Sequence, residues 1–326
     1  MENKITMKSK AYWGRKAIGC LFQKYNCSEA TMQTCQDMLD RREDAVLTAV
    51  AGMLGGIVCR GSTCGVVSGG ALGIGLMHDD ALQKNGSETE AAIISLASNY
   101  VKWFSDTYGT TLCRERSGVD FWTLGGLIKY LLPGHRMVRC LSHTNGAVKH
   151  LYDIKQSSLP TIDLVDEHPM KHLHCAQAVL EGVRANTGIG DPVLERISIV
   201  LDGGVGLQGG ACGALAGAIL AINILLGVNL REVSLPRSHY IFYKGLTYLR
   251  SDKPEEISDS YSVGNRIVTK FEEASGSIDC SMITEKKFTD WDNFQSFIRS
   301  SDKCKALMDL SISEATWAID RYRKAQ

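Results

Sequence analysis

The sequence predicts an all-α protein made of two tandem homologous helical-bundle domains, and three observations carry that expectation. Helix-compatible periodicity recurs along the chain, only six prolines and 7% aromatic residues interrupt it, and a pattern of cysteines and glycines occurs twice at one offset. Asn26-Cys27-Ser28-Glu29-Ala30 aligns with His174-Cys175-Ala176-Gln177-Ala178, and Cys64-Gly65-Val66-Val67-Ser68-Gly69 aligns with Cys212-Gly213-Ala214-Leu215-Ala216-Gly217. The offsets agree, since 175 − 27 = 148 and 212 − 64 = 148, and Gly55-Gly56 and Gly203-Gly204 obey the same register.

Two later cysteines in each copy follow with looser spacing. Cys113 and Cys140 correspond to Cys280 and Cys304, with separations 140 − 113 = 27 and 304 − 280 = 24. The second copy carries an insertion before its third cysteine, because 280 − 212 = 68 against 113 − 64 = 49. The polar stretch Gln156-Ser157-Ser158-Leu159-Pro160 marks a boundary, giving domains 1–160 and 161–326.

Local signals place the helices. Residues 43–54 open with acidic side chains that suit the positive end of a helix dipole and stop at Gly55-Gly56. Residues 88–104 put Ala91, Ile94, Leu96, Ala97 and Val101 at helical spacing, and residues 311–322 repeat the pattern with Ile312, Ala315, Ile319 and Tyr322. The tracts after Cys64 and Cys212 carry Gly65, Gly69, Gly73 and Gly213, Gly217, Ala221. Small residues four apart allow close backbone approach, at a helix-propensity cost of about 1 kcal/mol per glycine. Residues 210–228 are uncharged and nearly long enough to span a membrane, but the matching tract of the first copy stops at Met77 before His78-Asp79-Asp80, so both are read as buried core helices.

Composition limits function. Thirty-six basic residues balance thirty-six acidic ones, so no overall field draws nucleic acid or anionic lipid. The N-terminal sequence has no apolar core followed by a cleavage site, which predicts a cytoplasmic protein with reduced or metal-bound thiols. Eleven cysteines are too sparse for a disulfide scaffold. Cys27, Cys64, Cys175 and Cys212 are expected at helix starts, where free N–H groups lower a thiol pKa. Four thiolates per copy are what an iron–sulfur cluster or tetrahedral metal site requires. Thiol–disulfide chemistry and zinc binding use the same groups and stay open. Cys20, Cys35 and Cys59, which the repeat does not duplicate, are read as small buried hydrophobes.

Weaker strings are set aside. Gly204-Val205-Gly206-Leu207-Gln208-Gly209 spells a dinucleotide-type glycine pattern after an apolar run, with Glu232 as a ribose candidate, but no alternation of strands and helices surrounds it. His168, His172 and His174 beside Pro169 read as a solvated helix start rather than a metal site, and the five tryptophans as packing residues. No C-x-x-C pair, haem-attachment sequence, Walker A loop or serine-nucleophile motif occurs.

The paired cysteine pattern resembles the C_GCAxxG_C_C family of redox-active proteins, with two copies in tandem over about residues 14–150 and 168–325. The second copy matches C-G-A-x-x-G through Cys212, Gly213, Ala214 and Gly217; the first has Val66 in place of the alanine. The resemblance implies a redox role with one iron–sulfur cluster per copy, held by Cys27, Cys64, Cys113 and Cys140 and by Cys175, Cys212, Cys280 and Cys304. That role calls for electron transfer with a redox partner protein, while the charge balance predicts no nucleic acid and the unequal apolar tracts no membrane span; a homodimer is compatible with all of these. No catalytic residue follows from it.

Overall fold

Glycine and capping signals cut the chain into short helices, and the order of those helices repeats. In a computed structural model, residues 8–84, 86–131, 135–162, 172–238, 240 and 260–325 are described. The first copy runs α1 (Lys10–Lys24), α2 (Cys27–Met38), α3 (Asp44–Val50), α4 (Gly65–Met77), α5 (Asp79–Lys84), α6 (Ser87–Tyr108), α7 (Cys113–Ser117), α8 (Leu124–Leu131) and α9 (His135–Gln156). The second runs α10 (Cys175–Thr187), α11 (Pro192–Ile197), α12 (Gly213–Leu226), α13 (Ser260–Ser275), α14 (Cys280–Thr284), α15 (Trp291–Ser300) and α16 (Asp302–Ala325). Among the described residues there is no β-strand; three isolated bridges are the closest approach to one.

Several starts and stops have visible causes. The Asn26 side chain caps α2 by accepting from the Glu29 N–H, and Asp191 caps α11 by accepting from Leu194, with Pro192 in the first turn. The helix expected over 43–54 is interrupted: after Val50 the chain tightens into a 3-10 turn, Ala51–Met53, ahead of Gly55 and Gly56 at φ 64° and 79°. Its counterpart Ser198–Leu201 precedes Gly203 and Gly204 in the same way.

The glycine tracts become the central helices. Every residue from Gly65 to Leu76 of α4 is buried, and α12 is buried on all sides through Asn223. Close packing requires the glycines: a Cβ on Gly69 would stand 2.7 Å from the Ser28 carbonyl oxygen, and one on Gly217 2.8 Å from that of Ala176. α4 thus packs on α2, and α12 on α10, at backbone contact. No helix is long and apolar enough to cross a membrane among the described residues.

The two copies do not keep separate cores. One continuous cluster of buried apolar residues runs from Trp13 to Ile319 through both. The contacts between copies are reciprocal: α12 packs on the Ala51–Met53 turn and α3, while α4 packs on the Ser198–Leu201 turn and α11. This is the isologous pattern of a two-fold interface, here built inside one chain. Polar ties reinforce it. The buried Asp79 carboxylate accepts from Arg41 of its own copy and from Arg196 of the other, at 2.6 and 2.8 Å.

Candidate functional site

The four repeated cysteines of each copy converge on one pocket. Cys27 and Cys175 are the first residues of α2 and α10, and Cys64 and Cys212 cap α4 and α12. Cys113 and Cys280 open the short helices α7 and α14, and Cys140 and Cys304 lie near the starts of α9 and α16. In the first copy Cys27, Cys64, Cys113 and Cys140 line a single cavity of 180 Å³. In the second, Cys175, Cys212, Cys280 and Cys304 line a closed space of 10 Å³.

The third cysteines, which the sequence aligned only by order, are fixed by backbone geometry. Cys113 N–H donates to the Ser62 carbonyl at 2.7 Å, and Cys64 N–H to that of Thr111 at 2.8 Å. Cys280 N–H donates to Gly210 at 2.5 Å, and Cys212 N–H to Ile278 at 2.9 Å. The same crossed pair therefore locks both segments, at a second register of 280 − 113 = 278 − 111 = 167.

Electrostatics correct one expectation. The helix-start positions are as predicted, yet no thiol is activated by them. Burial pushes Cys64 and Cys212 up to about 11, although the N–H groups of Val66 and Val67, and of Ala214 and Leu215, pull the other way. Cys27, Cys113, Cys175 and Cys280 lie well above the usual thiol value, first because of burial and then because other thiols, and for Cys175 first the Asp202 carboxylate, stand beside them. Desolvation outweighs the helix dipole because these thiols have almost no water to lose their charge into. A metal cation reverses that balance by compensating the thiolates directly.

Four further first-copy groups reach this pocket. Cys59, read from sequence as a buried hydrophobe, lines the same cavity as a fifth thiol, and burial raises it to about 12. The buried Arg116 stands beside Cys64 and Cys140; its guanidinium donates to the carbonyls of Tyr108 and Thr110 and to the His143 ring. His143 is held down at about 4 by burial and by Arg116 and Arg139, so it is the neutral acceptor of that contact. Tyr130 bonds Cys140. The position three residues after Cys280 is Ile283 where the first copy has Arg116, and Leu207 stands where it has Cys59. The second pocket is closed by apolar side chains, among them Phe288, Phe294 and Phe297.

The remaining sequence candidates resolve differently. Cys20 and Cys35 are buried core residues, as expected. His168 lies outside the described residues. His174 is not solvated: it is buried, caps no amide itself, and pairs through Nδ1 with the buried Asp202 at 2.7 Å, while Asp202 also accepts the Cys175 N–H at 2.9 Å. His172 pairs with Glu90 of the first copy at 3.0 Å. The Gly204–Gly209 string is a turn with no preceding strand. Gly204 and Gly209 hold φ 89° and 74°, and a Cβ on Gly206 would stand 2.6 Å from the Ser98 amide, so no nucleotide cradle forms. Trp122 goes beyond packing: it lines the first cavity and donates from Nε1 to the Val58 carbonyl at 2.8 Å.

The family model "Putative redox-active protein (C_GCAxxG_C_C)" matches this chain twice, over residues 25–154 and 173–315. The chain belongs to the C_GCAxxG_C_C family. Both matched regions contain all four cysteines of their copy, so this member is a tandem duplication whose halves share one core. No curated protein and no solved structure matches the chain.

Proposed function

We propose that this C_GCAxxG_C_C protein transfers electrons through iron–sulfur clusters ligated by Cys27, Cys64, Cys113 and Cys140 in the first copy and by Cys175, Cys212, Cys280 and Cys304 in the second. The observation that carries the reading is the gathering of each set of four thiols, distant in sequence, around one pocket. The donor chemistry fits: thiolates are the usual cluster ligands, and the surroundings are dry. Among the described residues no three His, Cys, Asp or Glu groups converge closely enough for a single metal ion. In the first copy the thiols instead surround 180 Å³, which suits a polynuclear group better than zinc. In the second, loading requires α14 or α16 to move outward from a space of 10 Å³.

A bound cluster would supply one-electron redox chemistry. The chain's own residues would hold its thiolates, exclude water, and set its potential through nearby charge. Arg116 places a cation beside Cys64 and Cys140, whereas Asp202 places a carboxylate beside Cys175. The test is anaerobic purification followed by iron and acid-labile sulfide analysis and visible spectroscopy. Absorbance bleached by dithionite, with iron and sulfide in similar amounts, supports the proposal; a colourless, iron-free protein with titratable disulfides overturns it.

That second outcome is the thiol–disulfide reading, which one observation favours: Cys59 neighbours Cys27 and Cys113 as a thiol beyond the four proposed ligands. Two thiols there would give up two electrons and two protons on forming a disulfide.

A further inference from the structure

The first cavity has features that four thiols and a cluster do not use. Its walls are overwhelmingly apolar and aromatic, with Phe121, Trp122 and Tyr130 on one side and Leu230 of the second copy on another. Lys24 also lines it and is buried, and among the described residues its Nζ has no hydrogen-bond partner; Glu29, Cys20, Arg231 and Asp37 act on it through charge. A buried donor left unpaired costs about 1–3 kcal/mol, which an acceptor on a bound molecule would recover. An apolar cavity of roughly 150 Å³ is enough to hold benzene. The 180 Å³ here therefore admits a substituted ring. The second copy offers no such space.

We propose that the first-copy cavity binds a quinone, with its ring against Trp122 and Tyr130 and a carbonyl oxygen accepting from Lys24 Nζ. An aromatic-sized apolar body with carbonyl acceptors is the electron-carrier chemistry that fits these walls and this unpaired donor. This assignment rests on the redox reading in its thiol–disulfide form, which leaves the cavity open, and names its small-molecule partner. Reduction of a quinone consumes two electrons and two protons and converts both carbonyls to hydroxyls. Two thiols of the cavity supply all four while joining as a disulfide.

Duroquinone is the probe, because its ring carbons are fully methylated and resist thiol addition. Equilibrium dialysis of the full chain under anaerobic conditions should show one saturable site. Cys59→Phe, which fills the cavity, should weaken binding by about tenfold or more, the loss expected from 1.4 kcal/mol. Lys24→Met should weaken it by roughly three- to tenfold, the worth of one hydrogen bond. Leu307→Met, in the closed pocket, should leave it unchanged. Absence of saturable binding, two equal sites, or binding indifferent to both Cys59→Phe and Lys24→Met overturns the proposal. Iron, sulfide and thiol titres on the same samples separate the two levels. A redox-active sample that binds no quinone defeats this proposal alone, while an iron-free, redox-silent sample that binds it defeats the redox reading and leaves the site standing.

Discussion

Ala211 donates its backbone N–H to the Thr63 hydroxyl at 2.9 Å, and these residues are counterparts in the duplication, since 211 − 63 = 148. Taken with the reciprocal packing of α12 on the Ala51–Met53 turn and of α4 on the Ser198–Leu201 turn, contact between equivalent positions marks a two-fold axis between them. The axis therefore runs between the segments that lead into Cys64 and Cys212, the second cysteine of each set. The backbone bridges Thr63–Leu112 and Ala211–Asp279 flank it, and the Asp279 carboxylate reaches across to Ser62 and, at 2.8 Å, to Arg114. Both cysteine sets are thus anchored to one shared seam.

If that seam couples two separate sites, single ligand substitutions divide the signal. Cys64→Ser and Cys212→Ser are each expected to remove about half of the bound iron and of the dithionite-sensitive absorbance. Cys59→Leu, which copies Leu207 at a matching left-handed backbone (φ 61° and 64°), is expected to keep the iron content of the parent chain. Metal analysis decides; complete loss from either serine variant would mean one shared site, and loss on Cys59→Leu would make Cys59 a ligand.

Close approach of the central helices sets a second expectation. Gly69→Ala and Gly217→Ala each force a methyl group against a backbone carbonyl, of Ser28 and Ala176 respectively. Each should destabilise by about 1–3 kcal/mol, the usual range for overpacking. Urea unfolding monitored by circular dichroism measures it. A substitution within error of the parent would mean that α2 or α10 can slide outward at little cost.

Stability should fall as pH rises, over two overlapping windows. Burial raises Glu29 from 4.5 to about 8. Burial alone would lower His174, but Asp202 and Glu90 raise it from 6.5 to about 9. A group raised in the folded state contributes stability that is complete below its unfolded pKa and lost as pH passes through the folded one. The slope approaches about 1.4 kcal/mol per pH unit for each group within its window. Glu29→Gln should flatten the decline between pH 4.5 and 8, and His174→Asn, which copies Asn26, the decline between 6.5 and 9. Denaturant midpoints across that range test both, and a parent chain more stable at pH 9 than at pH 6 would contradict the assignment.

Arg116 offers a readout specific to the first site. A buried cation beside Cys64 and Cys140 favours the more negative, reduced state of whatever those thiols hold. Arg116→Met should shift one of two midpoint potentials to more negative values, by roughly 60 mV for each tenfold change in a one-electron equilibrium. Potentiometric titration with the second potential as internal reference checks it; equal displacement of both would mean a global structural effect.

How much of this was legible beforehand follows from what each signal depends on. Helix starts at Cys27, Cys64, Cys175 and Cys212 were readable because capping and glycine placement are local, and the 148-residue register survived because no gap interrupts it up to Cys212. The place of Cys59 among other thiols was not legible, because it is set by the turn at Gly55–Gly61, whose left-handed backbone no short motif announces. Arg116 and Asp202 were invisible for a related reason: each gains its meaning from a thiol far away in the chain, Cys64 and Cys140 for one and Cys175 for the other.

The sequence by itself determined the helical class, the duplication, the family and the eight repeated cysteines, because periodicity and motif spacing are carried by neighbours along the chain. Tertiary structure alone decided that the halves share one core, that burial pushes the thiol pKa values up despite their helix starts, and that the two pockets differ. The physical reason is common to all three. Burial depends on which distant side chains fill the space, and Ile283 and the phenylalanines fill the second pocket, whereas Arg116 lines the open first one.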